Sequence, residues 1–88
     1  MTLLIIDDDA QFVQSLIKCV DWQSLGIARV ETAGDGAEGL RLFERLCPDI
    51  LLCDVQMPVM DGIDMVRRIA GANGGSLPCA VVFMTAYS

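Results

Sequence analysis

The chain has 88 residues, of which 53% are hydrophobic, so it can form one small domain around a core. Its net charge is −6, which disfavours direct binding to nucleic acid because the phosphates would be repelled. It contains no histidine, the commonest general base and zinc ligand, and no run that approaches the roughly 20 apolar residues of a membrane span.

The N-terminus and the cysteines point to a reducing compartment. Residues 1–6 lack the basic segment and the small-residue cleavage site of a signal peptide, so we expect a cytoplasmic location. Four cysteines occur without C-x-x-C spacing, and each lies in an apolar segment. They are predicted to be reduced core thiols rather than disulfides. These residues are Cys19, Cys47, Cys53 and Cys79.

The first half of the chain is predicted to contain a strand, a helix and a second strand. Residues 3–6 are fully apolar and end in three Asp residues, which is typical of a buried parallel strand. An Asp then caps a helix with an apolar face. Residues 27–32 form the second strand, after a break at Gly26. The apolar face of the helix consists of Val13, Leu16, Ile17 and Val20.

The second half adds two more helix–strand units. Asp35-Gly36 starts a helix in which Gly39 costs about 1 kcal/mol relative to Ala. Residues 50–53 form the third strand, which ends at Asp54, and a third helix follows Asp61-Gly62. Residues 71–76 end this helix, and the fourth strand spans residues 80–84. The predicted inward residues are Ala37, Leu40 and Phe43 or Leu46 in the second helix, and Ile63, Val66, Ile69 and Ala70 in the third.

Apolar strands therefore alternate with helices in the order βαβαβαβ. This order predicts an α/β fold, with a parallel sheet covered by helices on both faces.

Three of the predicted strands end in polar residues, namely Asp7-Asp8, Asp54 and Thr85. Ligands bind at the carboxyl ends of the strands in open parallel sheets, so we expect these residues to meet at one edge. Two carboxylates about 5 Å apart repel each other by roughly 3 kcal/mol, which calls for a cation. Oxygen ligands alone favour Mg²⁺, and such a site suits phosphoryl transfer to a carboxylate, with Thr85 donating its hydroxyl.

Each of these residues also has a simpler interpretation. The acidic run at 7–9 can be a strand end followed by a helix cap, and Asp54 can be a turn residue. Thr85 can be an ordinary strand residue, because β-branched residues are common there. The joint placement at three strand ends favours a site over these alternatives.

Three segments of the chain resemble the CheY-like receiver domains of two-component systems. They are Leu4-Ile5-Ile6-Asp7-Asp8-Asp9, the stretch from Pro48 to Gly62 with its D-x-x-M-P-x-M-D-G motif, and Phe83-Met84-Thr85-Ala86. The resemblance covers the whole chain in order and spacing. It implies a flavodoxin-like sheet with strand order 2-1-3-4.

The resemblance also implies a role for each residue of the site. Asp54 would accept a phosphoryl group from a sensor histidine kinase. Asp8 would be the main acidic Mg²⁺ ligand, supported by Asp7, by Asp54 itself and by the backbone carbonyl of Gln56. Thr85 would be the switch hydroxyl. Gln56 and Ala86 would contact the phosphoryl group, and small Ala86 would leave room for it.

A second, shorter resemblance concerns the output. The segment from Asp21-Trp22 to Leu25-Gly26-Ile27 is similar to regulators with an AraC-type helix-turn-helix output, so the resemblance implies control of transcription. The output domain itself would lie outside this sequence, which we expect to be a receiver domain over residues 1–88. We expect no enzyme activity beyond self-phosphorylation and slow self-dephosphorylation.

The sequence departs from the family pattern at its C-terminal end. Receiver domains have five βα units and a lysine after the fifth strand, whereas this sequence stops after the fourth strand, and its only lysine is Lys18. The fourth strand would then be an exposed apolar edge, so we expect the chain to self-associate through it.

Two other functions are compatible with parts of the pattern. One is an interaction module that keeps the fold but is not phosphorylated. The other is a haloacid-dehalogenase-like phosphohydrolase, but those enzymes have a second Asp two residues after the nucleophile, where this chain has Gln56.

Overall fold

The computed structural model describes residues 1–55 and 60–84. The strands are β1 (Thr2–Ile6), β2 (Arg29–Ala33), β3 (Ile50–Asp54) and β4 (Ala80–Met84). The helices are α1 (Ala10–Cys19), α2 (Gly36–Leu46) and α3 (Gly62–Ala72), with a 3₁₀ turn at Gln23–Leu25. None of the helices in the described ranges is long and apolar enough to span a lipid bilayer.

The strands form one parallel sheet with the order β2-β1-β3-β4, as predicted. β1 and β3 are its central strands, which explains why their residues are almost uniformly apolar and buried. Their register pairs Ile6 with Cys53, so the residues that follow lie side by side at the same edge of the sheet.

Each face of the sheet has its own hydrophobic cluster, which confirms that helices cover both faces. On the first face, Val13 of α1 packs on Leu3 and Ile5. On the second, α2 and α3 cover a larger cluster that includes two fully buried residues of α3 and β3, Met65 and Leu51.

Two predicted inward positions are wrong. Ala37 is exposed, because Gly36 and Gly39 form the buried face of α2. Ile63 is 43% exposed, whereas Met65 is fully buried. The buried face of α3 is set by Gly62, which lies directly against the end of β3.

The predicted second strand is also shifted. β2 covers Arg29–Ala33 instead of residues 27–32, because Ile27 belongs to the preceding turn. Its N–H donates to the Trp22 carbonyl at 2.9 Å, and Gly26 provides the positive φ of 79° that this turn needs.

The four cysteines are free thiols, but two of them lie outside the core. Cys53 is buried and Cys79 packs against the cluster beneath α2 and α3. Cys19 and Cys47 are exposed, contrary to the prediction, because they occupy the C-terminal ends of α1 and α2.

Candidate acidic site at the carboxyl ends of the strands

Three predicted site residues meet where β1 and β3 end. Asp7, Asp8 and Asp54 each place a carboxylate oxygen within 4.8 Å of the other two. Asp7 and Asp54 are buried, at 7% and 6% exposure, whereas Asp8 is exposed. Two carboxylates of the cluster are therefore buried, and the third faces solvent.

Hydrogen bonds of the main chain hold Asp7 in place. Its N–H continues the ladder to β2 by donating to the Ala33 carbonyl at 3.1 Å. Its Oδ1 accepts a hydrogen bond from the N–H of Asp9 at 2.9 Å, and Asp9 in turn caps α1 by accepting from Phe12 N–H at 3.1 Å. The turn from β1 into α1 thus fixes the direction of the Asp7 carboxylate.

The pKa of Asp7 is raised above the ordinary value of 3.8. Burial is the largest cause, and the hydrogen bond from Asp9 N–H partly offsets it. The negative charges of Asp54, Asp8 and Asp9 raise it further. A buried carboxylate among like charges is an unfavourable arrangement unless something compensates for it.

Asp54 is the last residue of β3, and its environment is set by the residues on either side. Val55 N–H donates to the Met84 carbonyl at 3.0 Å, and the Val55 carbonyl accepts from Gly62 N–H at 3.0 Å. The Cys53 thiol donates to the main-chain carbonyl of Asp54 at 3.3 Å. The strand end is therefore held by both β4 and α3.

The Cys53 thiol is disfavoured as a nucleophile or a metal ligand. Burial, followed by the charges of Asp54, Asp7 and Asp61, raises its pKa to about 12. Both roles need the thiolate, which this raised pKa disfavours at neutral pH.

The donor set fits a hard divalent cation. Two carboxylates no more than 4.8 Å apart repel each other by at least about 3.5 kcal/mol at an effective dielectric constant of 20. A cation between them would replace this repulsion with attraction, and all three donors are carboxylate oxygens, the ligands that Mg²⁺ prefers. Exposed Asp8 leaves the site open to solvent and to a further oxygen ligand.

The other predicted site residues lie outside the described part of the chain. They are Gln56, Thr85 and Ala86. Met84, the residue before Thr85, is the register partner of Asp54.

The prediction from sequence missed Gly62 and Cys53, which both contact the main chain of Asp54. The available signal is the Asp61-Gly62 pair, which both ends the family motif and starts a helix, but neither of these interpretations gives Gly62 a place in the site. A glycine at the first position of a helix that follows a strand with a polar end could have indicated a close approach of the two backbones.

The chain matches the family model for the response regulator receiver domain over residues 3–88. Among curated proteins, it is 38% identical over 86 residues to protein-glutamate methylesterase/protein-glutamine glutaminase 2 of Cupriavidus metallidurans, covering 97% of this chain and 24% of that protein. It is 35% identical over 82 residues to the response regulator MprA of Mycobacterium leprae, covering 93% of this chain and 34% of that protein. The chain thus spans a quarter to a third of the length of these relatives.

Solved structures give the same result for the fold. The chain superposes on a two-component transcriptional regulator AraC from Clostridium phytofermentans with a TM-score of 0.86 and 34% identity, covering all of this chain and 68% of the other. It also superposes on one chain of a CheX–CheY complex with BeF₃ and Mg²⁺ from Borrelia burgdorferi, with a TM-score of 0.80 and 28% identity. The match covers 99% of this chain and 63% of that one.

Proposed function

Since this chain belongs to the response regulator receiver domain family of two-component signalling, we propose that Asp54 accepts a phosphoryl group from a sensor histidine kinase. The observation that carries the proposal is the meeting of Asp7 and Asp8 with Asp54 at the end of β3. Three carboxylates in one place are costly for the fold, and a site that binds a cation and a phosphoryl group compensates for that cost.

The reaction needs little from the protein beyond position and charge. A carboxylate oxygen of Asp54 forms a bond to phosphorus as the bond between phosphorus and the donor atom breaks, and the donor leaves with the electron pair. In such a transfer, the orientation of the nucleophile and the neutralisation of charge provide most of the catalysis. The hydrogen bonds around Val55 provide the orientation by holding the end of β3.

Asp7, Asp8 and Asp54 would hold the magnesium ion, with the Gln56 carbonyl as a further ligand. When bound, Mg²⁺ would neutralise the carboxylates and the oxygens of the phosphoryl group. We further propose, from the family resemblance, that Thr85 is the switch hydroxyl and that Ala86 and Gln56 contact the phosphoryl group.

The proposal is tested with a small acyl phosphate as donor. The protein is incubated with acetyl phosphate and Mg²⁺ and analysed by intact mass spectrometry. One phosphoryl group should be added, and Asp54→Asn should abolish the addition. Asp64→Asn, an exposed residue of α3 outside the cluster, is the matched control and should be modified like the wild type. Modification that persists in Asp54→Asn would contradict the proposal.

For the output, we propose control of transcription by a further domain of the same protein. The support is the turn at Asp21–Ile27, which carries the pattern of AraC-type regulators, and the similarity to the receiver of a transcriptional regulator AraC. The methylesterase activity is named for relatives of which this chain spans about a quarter, and we propose no catalysis by this chain beyond its own phosphorylation and dephosphorylation. Sequencing the gene beyond the codon for Ser88 tests this, because a methylesterase domain there would contradict it.

A second candidate is an interaction module that is not phosphorylated, and the edge strand β4 favours it. Within residues 1–55 and 60–84, β4 is hydrogen-bonded only to β3, while Val82 and Phe83 are 50% and 43% exposed. In this case, two copies of the 88-residue polypeptide associate through β4. Light scattering at micromolar concentration should give a dimer that Val82→Lys dissociates, and a monomeric polypeptide would contradict this candidate.

A further inference from the structure

The first turn of α3 rests on the main chain of the proposed phosphoryl acceptor. Gly62 is buried, and a Cβ built at this position would lie 2.3 Å from the carbonyl oxygen of Asp54 and 3.1 Å from its carbonyl carbon. The same Cβ would lie 2.8 Å from the Cys53 sulfur. Only glycine fits between the helix and the end of the strand.

The closest atoms belong to backbone, which cannot move aside as the end of a flexible side chain can. Ordinary contact begins at 3.4 Å, so a Cβ at position 62 requires a separation of about 1.1 Å between α3 and the Asp54 carbonyl. That movement would also stretch the hydrogen bond from Gly62 N–H to the Val55 carbonyl, now 3.0 Å long.

Both elements in this contact are anchored, so neither can yield freely. Asp61 caps α3 by accepting a hydrogen bond from Asp64 N–H at 2.8 Å. On the strand side, Val55 N–H is bonded to Met84 of β4. Strain at Gly62 would therefore be transmitted to the peptide that joins Asp54 to Val55, and this peptide sets the direction of the Asp54 side chain.

We propose that Gly62 is a positioning residue for Asp54. Its missing Cβ lets the first turn of α3 lie directly on the Asp54 carbonyl, and this contact fixes the direction in which the carboxylate faces Asp7 and Asp8. The inference rests on the proposed function, because it concerns the rate at which Asp54 is phosphorylated. It assigns Gly62 a role in the site in addition to the start of a helix.

The test compares two identical substitutions in one helix of the full-length gene product. Gly62→Ala introduces the clash, whereas Gly71→Ala places a methyl group where no atom lies within 4 Å. Ile69→Ala, in the buried face of α3, is the reference for lost stability. For each variant, the rate of phosphorylation by acetyl phosphate is measured at saturating Mg²⁺ and divided by the folded fraction.

A displacement of about 1 Å at a reacting group can lower a rate by as much as about 100-fold. We expect Gly62→Ala to lose 10- to 100-fold in the rate at saturating donor, with little change in the donor concentration that gives half of this rate. The rates of Gly71→Ala and of Ile69→Ala, each divided by the folded fraction, should lie within about threefold of the wild-type rate. A folded Gly62→Ala protein that reacts like Gly71→Ala overturns the inference.

A double variant covers the case in which Gly62→Ala does not fold. Adding Cys53→Ala removes the 2.8 Å contact with sulfur, which relieves part of the overpacking and favours folding, and keeps the contact with the Asp54 carbonyl, so the double variant should still react slowly. A rate equal to that of Cys53→Ala alone overturns the inference. Failure of the double variant to fold also overturns it, since Gly62 would then serve the fold and not the site.

The two proposals fail in different ways. If the wild-type protein gains no phosphoryl group on Asp54, the proposed function fails. If the wild type is modified and Gly62→Ala is modified equally fast, only the positioning role fails.

Discussion

At the scale of single residues, the acidic cluster destabilises the folded chain. Asp7 is only 7% exposed, its carboxylate lies within 4.8 Å of two others, and its pKa is raised. Its hydrogen bond from Asp9 N–H offsets only part of the effect of burial. Position 7 is therefore one at which a neutral side chain should suit the fold better than the natural one.

We expect Asp7→Asn to stabilise the protein at neutral pH in the absence of divalent cations. Asn removes the charge and keeps an oxygen that can accept from Asp9 N–H. The folded-state pKa of Asp7 lies above its unfolded value of 3.8, so the destabilisation is fully present above the folded pKa and disappears as the pH falls through it. In urea denaturation with EDTA, the gain in the free energy of unfolding of Asp7→Asn should shrink as the pH is lowered, and a gain that is the same at all pH values would contradict this expectation.

At the scale of elements, glycine decides how closely the helices approach the sheet. A Cβ at Gly39 of α2 would lie 2.4 Å from Ile6 Cδ1 and 3.2 Å from Met65 Sδ, and both of these residues are fully buried. The glycine that weakens α2 as an isolated helix is therefore the residue that lets it pack on β1.

The same substitution should thus have opposite effects at two helical glycines. Gly39→Ala should lower the free energy of unfolding by about 1–3 kcal/mol, because overpacking outweighs the gain in helix propensity. Gly71→Ala, which meets no atom within 4 Å, should raise it by about 0.5–1 kcal/mol. Thermal and urea unfolding of both variants measure this, and a stabilised Gly39→Ala protein would refute the close approach of α2.

Helices α1, α2 and α3 are each preceded by an Asp whose side chain accepts a hydrogen bond from the N–H three residues later. In α2, Asp35 accepts from Glu38 N–H at 2.8 Å, and the Glu38 carboxylate accepts from Gly34 N–H at 3.4 Å. These two bonds satisfy the Glu38 N–H in the first turn of α2 and the Gly34 N–H just before the cap.

Asp35→Ala should therefore destabilise the protein by about 1 kcal/mol, whereas Asp35→Ser should retain most of the stability because its hydroxyl also accepts. The free energy of unfolding in urea distinguishes the two. Equal losses for Ala and Ser would show that the cap contributes little.

At the scale of the whole molecule, the charges are distributed unevenly. The net charge is −6, and the strand ends carry a cluster of Asp residues, whereas four of the six cationic residues lie on α2 and α3. The four are Arg41, Arg45, Arg67 and Arg68. A divalent cation at the strand ends should consequently stabilise the folded chain more than ionic strength alone.

We expect Mg²⁺ to raise the unfolding temperature beyond the effect of NaCl at the same ionic strength. Binding to the folded state at a concentration 100 times the Kd contributes about 2.7 kcal/mol. Asp54→Asn should lose most of this increment, and Asp64→Asn should keep it. Scanning calorimetry measures the effect, and equal shifts with the two salts would argue against a magnesium site.

Much of the fold was predictable because its signals are local. The apolar runs at residues 3–6 and 50–53 indicate central parallel strands, and the Asp residues that follow them indicate the polar edge. The apolar spacing in α1 predicted its core face, where Val13 is buried. These features depend on neighbours along the chain, so the sequence carries them directly.

The sequence by itself determined the order of strands and helices and the three Asp residues at the strand ends. Only the tertiary structure decided that α2 and α3 approach the sheet through Gly39 and Gly62, that Met65 and not Ile63 is buried, and that the Cys53 thiol and Gly62 both contact the Asp54 carbonyl. These contacts join residues from different elements, and their distances depend on how the helices pack. Apolar periodicity cannot reveal them, because a glycine contributes no side chain to the pattern.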